Sequence, residues 1–151
     1  MIRLELPWLP PSSNNAYTNN GFGGRKLSAE GKAFLIETKA HLAQHYPTQL
    51  RIFKPNKPYL VAMRFYFQEL ETAGFAAGKA KARYKTVDGG NRTKLLEDAL
   101  KDVGGIDDSQ TMVSIWEKGH AGGLNERTLI WAWSLEEEEC TLYELIKLQL
   151  H

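Results

Sequence analysis

Apolar residues change their period several times along the chain, and each change predicts an element. Ile2, Leu4 and Leu6 alternate with Arg3 and Glu5, the two-residue period of a half-buried strand. Residues 7–24 are rich in Pro, Ser, Asn and Gly and read as a long loop. Ser28 is placed to cap a helix over residues 29–46, with Glu30 in its first turn, Phe34, Leu35, Ala40 and Leu42 as apolar surface, and Pro47 as its stop. Residues 51–58 form a basic, proline-punctuated connector. A strand follows over 59–70, where Leu60, Ala62, Phe65 and Phe67 are interspersed with Arg64 and Gln68. Residues 71–84 are rich in Ala, Gly and Lys and read as an exposed loop. Leu95, Leu96, Ala99, Leu100 and Val103 then recur at helical spacing, predicting a helix over 92–103, capped by Asn91 and closed by Gly104-Gly105. Met112, Ser114 and Trp116 alternate with Val113, Ile115 and Glu117 in another strand. After a turn over 119–125, residues 128–134 read as its partner strand, with Trp131 and Trp133 on one face. Leu142, Ile146 and Leu150 predict a last helix over 135–150.

The expected order is therefore β-α-β-α-β-β-α: an α+β fold, a mixed β-sheet covered by helices in a two-layer sandwich. A chain of 151 residues suffices for one domain, with residues 1–134 as its body and 135–151 as an acidic helix that docks on that body or on a second subunit. No apolar run approaches the ~20 residues of a membrane helix. No leader is visible and Cys140 is the single cysteine, so the expectation is a cytoplasmic protein with no membrane and no internal disulfide.

Charge changes the picture once it is divided along the chain. The net charge is +1, but residues 135–151 hold five acids and one base; taking these from 18 acids and 19 bases leaves the body at +5. Lys79, Lys81, Arg83, Lys85, Arg92 and Lys94 cluster around a lone carboxylate, Asp88, which suits contact with a phosphate backbone. Asn14, Asn15 and Tyr17 in the first loop, with Arg25 and Lys26 behind them, are further candidates for that contact. The stretch Gly21-Phe22-Gly23-Gly24-Arg25-Lys26 lacks the spacing of a phosphate loop, so no nucleotide cofactor is expected. His41 and His45 are four apart on one helix but have no third ligand, and read as surface residues.

The chemistry concentrates in residues 86–110. Asp88 precedes Gly89-Gly90, Lys94 lies one turn into the helix, and Asp107-Asp108 follow its end. Burial of the apolar helix face fixes both helix ends and is expected to bring Asp88 and Asp107/Asp108 together at a sheet edge. Carboxylates from separate segments with a nearby ammonium are what a hard divalent cation and a phosphate need. The same residues also read as ordinary turn chemistry.

Ordered motifs tip that balance. Asp88-Gly89-Gly90-Asn91-Arg92-Thr93-Lys94, then Asp98-Ala99-Leu100, then Asp107-Asp108-Ser109-Gln110 resemble the signature of the RusA-type Holliday junction resolvases, including phage and prophage members. So do Leu6-Pro7-Trp8, the run from Pro10 to Tyr17, and Leu27-Ser28-Ala29-Glu30-Gly31-Lys32-Ala33-Phe34 near the N-terminus. One position departs from the pattern: the family's second Asp falls on Gly90, leaving Asp88 and Asp108 as matched carboxylates.

The resemblance implies a Mg2+-dependent endonuclease (Mn2+ as a substitute) that resolves four-way DNA by symmetric phosphodiester hydrolysis in recombination and repair. It implies a homodimer whose two-fold axis matches that of the junction. Asp88 and Asp108 would hold the metal, with Asp107, water or the Gly90 carbonyl completing the shell, and Lys94 would stabilise phosphate charge. Two alternatives remain open at this point: a branched-DNA-binding protein weakened by Gly90, and a nuclease for flaps or forks. The acidic tail is expected to weaken non-specific DNA binding by repulsion.

Overall fold

The computed structural model describes residues 1–19, 24–85 and 89–135. Strand β1 (Ile2–Leu6) buries Ile2, Leu4 and Leu6 as its alternation predicts. Residues 13–19 are more ordered than their composition suggested. Helix α1 (Ser13–Ala16) turns directly into β2 (Tyr17–Asn19), which pairs antiparallel with β3 (Arg25–Leu27). Tertiary contacts override the loop-like composition, because α1 is pressed against helix α2 (Ala29–His45). Ser28 caps α2 by accepting from Gly31 N at 3.0 Å, while its own amide donates to Ala16 O at 2.9 Å.

Gly31 is what lets the two helices approach. A Cβ there would lie 2.5 Å from the Ala16 carbonyl oxygen and 3.1 Å from Leu27 Cδ2. Gly31→Ala is therefore expected to destabilise the fold by about 1–2 kcal/mol, overpacking outweighing the better helix propensity of alanine. Urea unfolding should show a lower midpoint at unchanged slope.

A 3-10 turn (Gln49–Ile52) leads into β4 (Tyr59–Phe67), whose near-continuous burial marks it as the interior strand. Helix α3 (Gly89–Gly104) follows, starting three residues before the sequence expectation, so Asn91 sits inside the first turn and not at the cap. A second 3-10 turn (Asp108–Gln110) feeds β5 (Thr111–His120), and β6 (Arg127–Ser134) completes the sheet. The strand order is β1-β6-β4-β5, with β4 and β5 parallel and the other pairs antiparallel. The fold is thus α+β with a mixed sheet, as expected from the pattern.

The expected pairing of the last two strands is corrected: β4 lies between them. Burial explains why. β5 alternates half-buried and exposed positions, as an edge strand can, whereas six of the eight residues of β6 are buried. The connection crosses the end of β4, where Ala121 N donates to Phe67 O at 2.8 Å, and Gly122 and Gly123 turn with positive φ.

The main core joins Leu4, Leu6, Val61, Met63, Phe65 and Ile130 on one sheet face to Phe34 and Leu42 of α2 and Leu95, Leu96 and Leu100 of α3. A smaller cluster on the other face holds Leu60, Ala62 and Trp133, with Trp131 beside them as the alternation predicted. The expected final helix lies outside the described residues. No helix among the described residues is long and apolar enough to cross a membrane.

Candidate functional site

Helix α3 carries the motif residues, and its two ends are held by different neighbours. At the start, Gly89 is buried under Trp116 of β5: a Cβ at residue 89 would lie 2.3 Å from Trp116 Cε3 and Cζ3. The Thr93 hydroxyl donates to Gly90 O at 2.6 Å, satisfying a carbonyl of the first turn. Arg92 is turned inward, donating to Pro10 O with its guanidinium 5.4 Å from the centre of the Phe67 ring. That ties α3 to the N-terminal motif. Asp88 lies outside the described residues.

At the far end, Gly104 lies against Phe53, and Gly105 closes the helix with φ +71 and its amide on Lys101 O at 2.9 Å. Asp107 is committed there. One oxygen accepts from Ser109 N and Oγ at 3.1 and 3.0 Å, and the other pairs with Lys101 Nζ at 2.9 Å. The Lys101 ammonium first, and then the two Ser109 donors, hold its carboxyl well below the usual range, at about 2. Gln110 clamps the same turn, accepting from Asp107 N at 2.9 Å and donating to Lys54 O and Lys57 O at 3.0 and 3.1 Å. The side chain of Asp108, first residue of this turn, lies outside the described atoms.

Asp107→Asn should remove a pH-dependent contribution to stability. With its folded value depressed below the ordinary 3.8, the carboxylate stabilises above about pH 4 and that contribution is lost as pH falls toward 2. The gap in thermal midpoint between parent and variant is expected to close as pH is lowered from about 5 toward 2, and to shrink in salt because the group is exposed.

The expectation that one chain gathers Asp88 and Asp107/Asp108 falls on Asp88 and the side chain of Asp108, which lie outside the described residues and atoms. A helix of 16 residues is about 24 Å long. Asp107 and Asp108 follow beyond Gly104, at the far end. A buried apolar face fixes where the ends are, but a helix is a rod and its ends cannot meet. Among the described residues no three His, Cys, Asp or Glu side chains are grouped to hold a metal ion. His41 and His45 stack with ring centres 4.4 Å apart, and His41 Nε2 lies 3.0 Å from Glu5 O, a packing contact between α2 and β1.

Along the helix, Lys94 and Asp98 act electrostatically on Tyr17 of β2, as does Arg25 of β3. Tyr17 is half-buried, its hydroxyl enclosed and without a hydrogen-bond partner among the described residues. Burial pushes its phenol up; Asp98 adds to the shift, and Lys94 and Arg25 oppose it. Tyr17, Arg25, Lys94 and Asp98 thus share one electrostatic neighbourhood although 77 positions separate Tyr17 from Lys94 in the sequence. Lys94, Arg25, Lys26, Asn14 and Asn15 are exposed around it.

The basic segment before α3 folds back on itself. Thr72 N donates to Arg83 O at 2.7 Å and Lys85 N to Leu70 O at 2.8 Å. Across this stem Arg83 pairs with Glu71 at 2.8 Å and Lys85 with Glu69 at 2.9 Å, while Lys79 and Lys81 stand exposed on the arch. Counting charge along residues 78–94 missed these partners because Glu69 and Glu71 precede the basic run. Gln110 stood in the Asp107-Asp108-Ser109-Gln110 motif without a role, and Trp116 was missed: the contacts of Gln110 with Lys54 and Lys57 and of Trp116 with Gly89 are distant in sequence.

The family model described as Endodeoxyribonuclease RusA matches residues 7–128, a span that contains the N-terminal motif, the arch and all of α3. No curated protein matches the chain.

Proposed function

Because the chain belongs to the RusA endodeoxyribonuclease family, we propose that it is a structure-specific endonuclease that resolves four-way DNA junctions, and that it works as a two-fold dimer whose metal sites are each shared between two copies. The observation that carries the second part is the length of α3. Oxygen donors of the kind a hard cation takes stand near its start, at Asp88, and beyond its end, at Asp108. In a symmetric pair with antiparallel α3 helices, Asp88 of one copy can meet Asp108 of the other, twice. The donor chemistry fits a divalent cation, Mg2+ or Mn2+, on those terms. Asp107 is left to shape the turn, since both of its oxygens are engaged.

A cation held by Asp88 and Asp108 would supply charge neutralisation at the phosphate and a lowered pKa for a bound water. The chain's own groups do the rest. Lys94, exposed on α3, would stabilise charge developing on the phosphate. Arg25, Lys26, Lys79 and Lys81 offer ammonium and guanidinium groups to the backbone on either side, with Asn14 and Asn15 as neutral donors. Arg83 and Lys85, paired with glutamates, hold the arch and add less to binding. Arg92 acts as a tether to Pro10. Selectivity for the branch then comes from shape and the ease of deforming the DNA.

The experiment is cleavage of an end-labelled four-way junction with Mg2+ or Mn2+ against a linear duplex of the same sequence. Paired nicks at symmetric positions in the junction alone are expected. Equal cutting of the duplex would overturn the resolvase reading. Gly90 favours a second reading, a junction-binding protein that cuts slowly, because the first turn of α3 contains no acidic side chain.

A further inference from the structure

The exposed edge strand β5 presents an aromatic ring beside the start of α3, and the catalytic scheme above leaves it without a role. Trp116 is 40% exposed, one of the few large apolar side chains in solvent. Its six-membered ring lies on the backbone of Gly89, in a space that any side chain at residue 89 would fill. The indole is therefore held in place by the helix start while its remaining surface stays open. Lys118, two positions along the same strand face, places its ammonium 5.9 Å from the ring centre.

We propose that Trp116 is a stacking platform for an unstacked nucleobase at the branch point, with Lys118 on the adjoining phosphate. The inference rests on the junction-nuclease reading and extends it to how an open base is held. Three features favour a nucleobase over another occupant. A rigid, half-open indole suits the flat face of a base, which every nucleotide offers regardless of sequence. The adjoining cation suits the phosphate that comes with it. The ring covers Gly89 at the start of the helix that carries Lys94, so a base stacked there sets its own backbone at that end of the helix. Trp116 is a positioning residue in this scheme, acting on the DNA and not on the reacting phosphate.

The test uses the full chain and a four-way junction with 5-iodouracil at each branch-point position in turn. Irradiation of the complex is expected to give a crosslink that peptide mapping assigns to Trp116. In parallel, Trp116→Leu should bind the junction about tenfold more weakly with an unchanged salt slope, whereas Trp116→Phe should stay within about threefold of the parent. A residue serving only to pack Gly89 would give no crosslink, and Leu would serve as well as Phe. If the parent binds and cuts junctions but no crosslink maps to Trp116 and Leu binds like Phe, the platform is overturned and the nuclease reading stands. If the parent shows no preference for branched DNA, both fall together. The crosslink needs no substitution, so poor folding of the Leu variant does not spare the proposal.

Discussion

Asp88→Asn and Asp108→Asn, each inactive alone, are expected to regain junction nicking when the two proteins are mixed. Loss of a group that merely supports a metal ligand commonly costs 10- to 100-fold, so loss of a ligand should cost at least about a hundredfold in cleavage. Four-way DNA binding should persist, because the phosphate contacts lie on other side chains. Mixing distinguishes where the ligands come from. If each site drew both carboxylates from one chain, every site in a mixed dimer would lack one of them. If each site draws Asp88 from one copy and Asp108 from the other, a mixed dimer has one doubly damaged site and one intact site. Random exchange makes half the dimers mixed, so about a quarter of all sites are restored. The products should be single nicks, not paired ones, since each mixed dimer cuts once. Gel analysis of a junction labelled on two strands reads both the amount and the pairing. A mixture as inactive as its components would sink the shared site.

The reason to expect sharing was partly legible in the sequence. The period of Leu95, Leu96, Ala99 and Leu100 announced α3, and Gly104-Gly105 announced its end. Its length, with a motif carboxylate on either side, is what motivates the shared site, although the pattern alone suggested that the carboxylates gather. What the pattern could not supply was the direction of everything around it. The turn that contains Asp108 is pinned by Gln110 to Lys54 and Lys57, and nothing in the local sequence announces that clamp. The pairing of the last strands was misread for a similar reason. Alternation told that residues 112–117 and 128–134 were strands, but only the burial of β6 on both faces places it inside the sheet, with β4 between it and β5. Conversely, Ser28 as a cap and Trp131 with Trp133 on one face were readable, because each depends on neighbours in the chain. The site itself divides in the same way. Lys94 was singled out from its place one turn into α3, whereas its neighbourhood with Tyr17 and Arg25 is a product of the fold.

Gly90→Asp is expected to raise metal-dependent cleavage by about tenfold or more and to stabilise the protein as well. Two independent effects point the same way. A carboxylate in the first turn of α3 faces the positive end of the helix dipole, worth about 0.3–1 kcal/mol. Replacing glycine inside a helix removes part of a backbone-entropy cost, about 0.3 kcal/mol once the weak helix propensity of aspartate is counted. Gly90 is not among the positive-φ glycines, so an L-residue meets no conformational penalty at this position. The parent has no acid in that turn, so its only proposed ligand at this end is Asp88, and a second oxygen donor should tighten the cation. The measurement is nicking rate against Mg2+ concentration, with a thermal midpoint taken in metal-free buffer. The two readouts separate the causes: the dipole and glycine effects raise the midpoint without metal, whereas a ligand shifts the metal dependence. Higher stability with an unchanged Mg2+ midpoint would mean that residue 90 lies outside the metal shell. The sequence departure at Gly90 would then be a matter of helix stability, and the slow-cutting reading would lose its support.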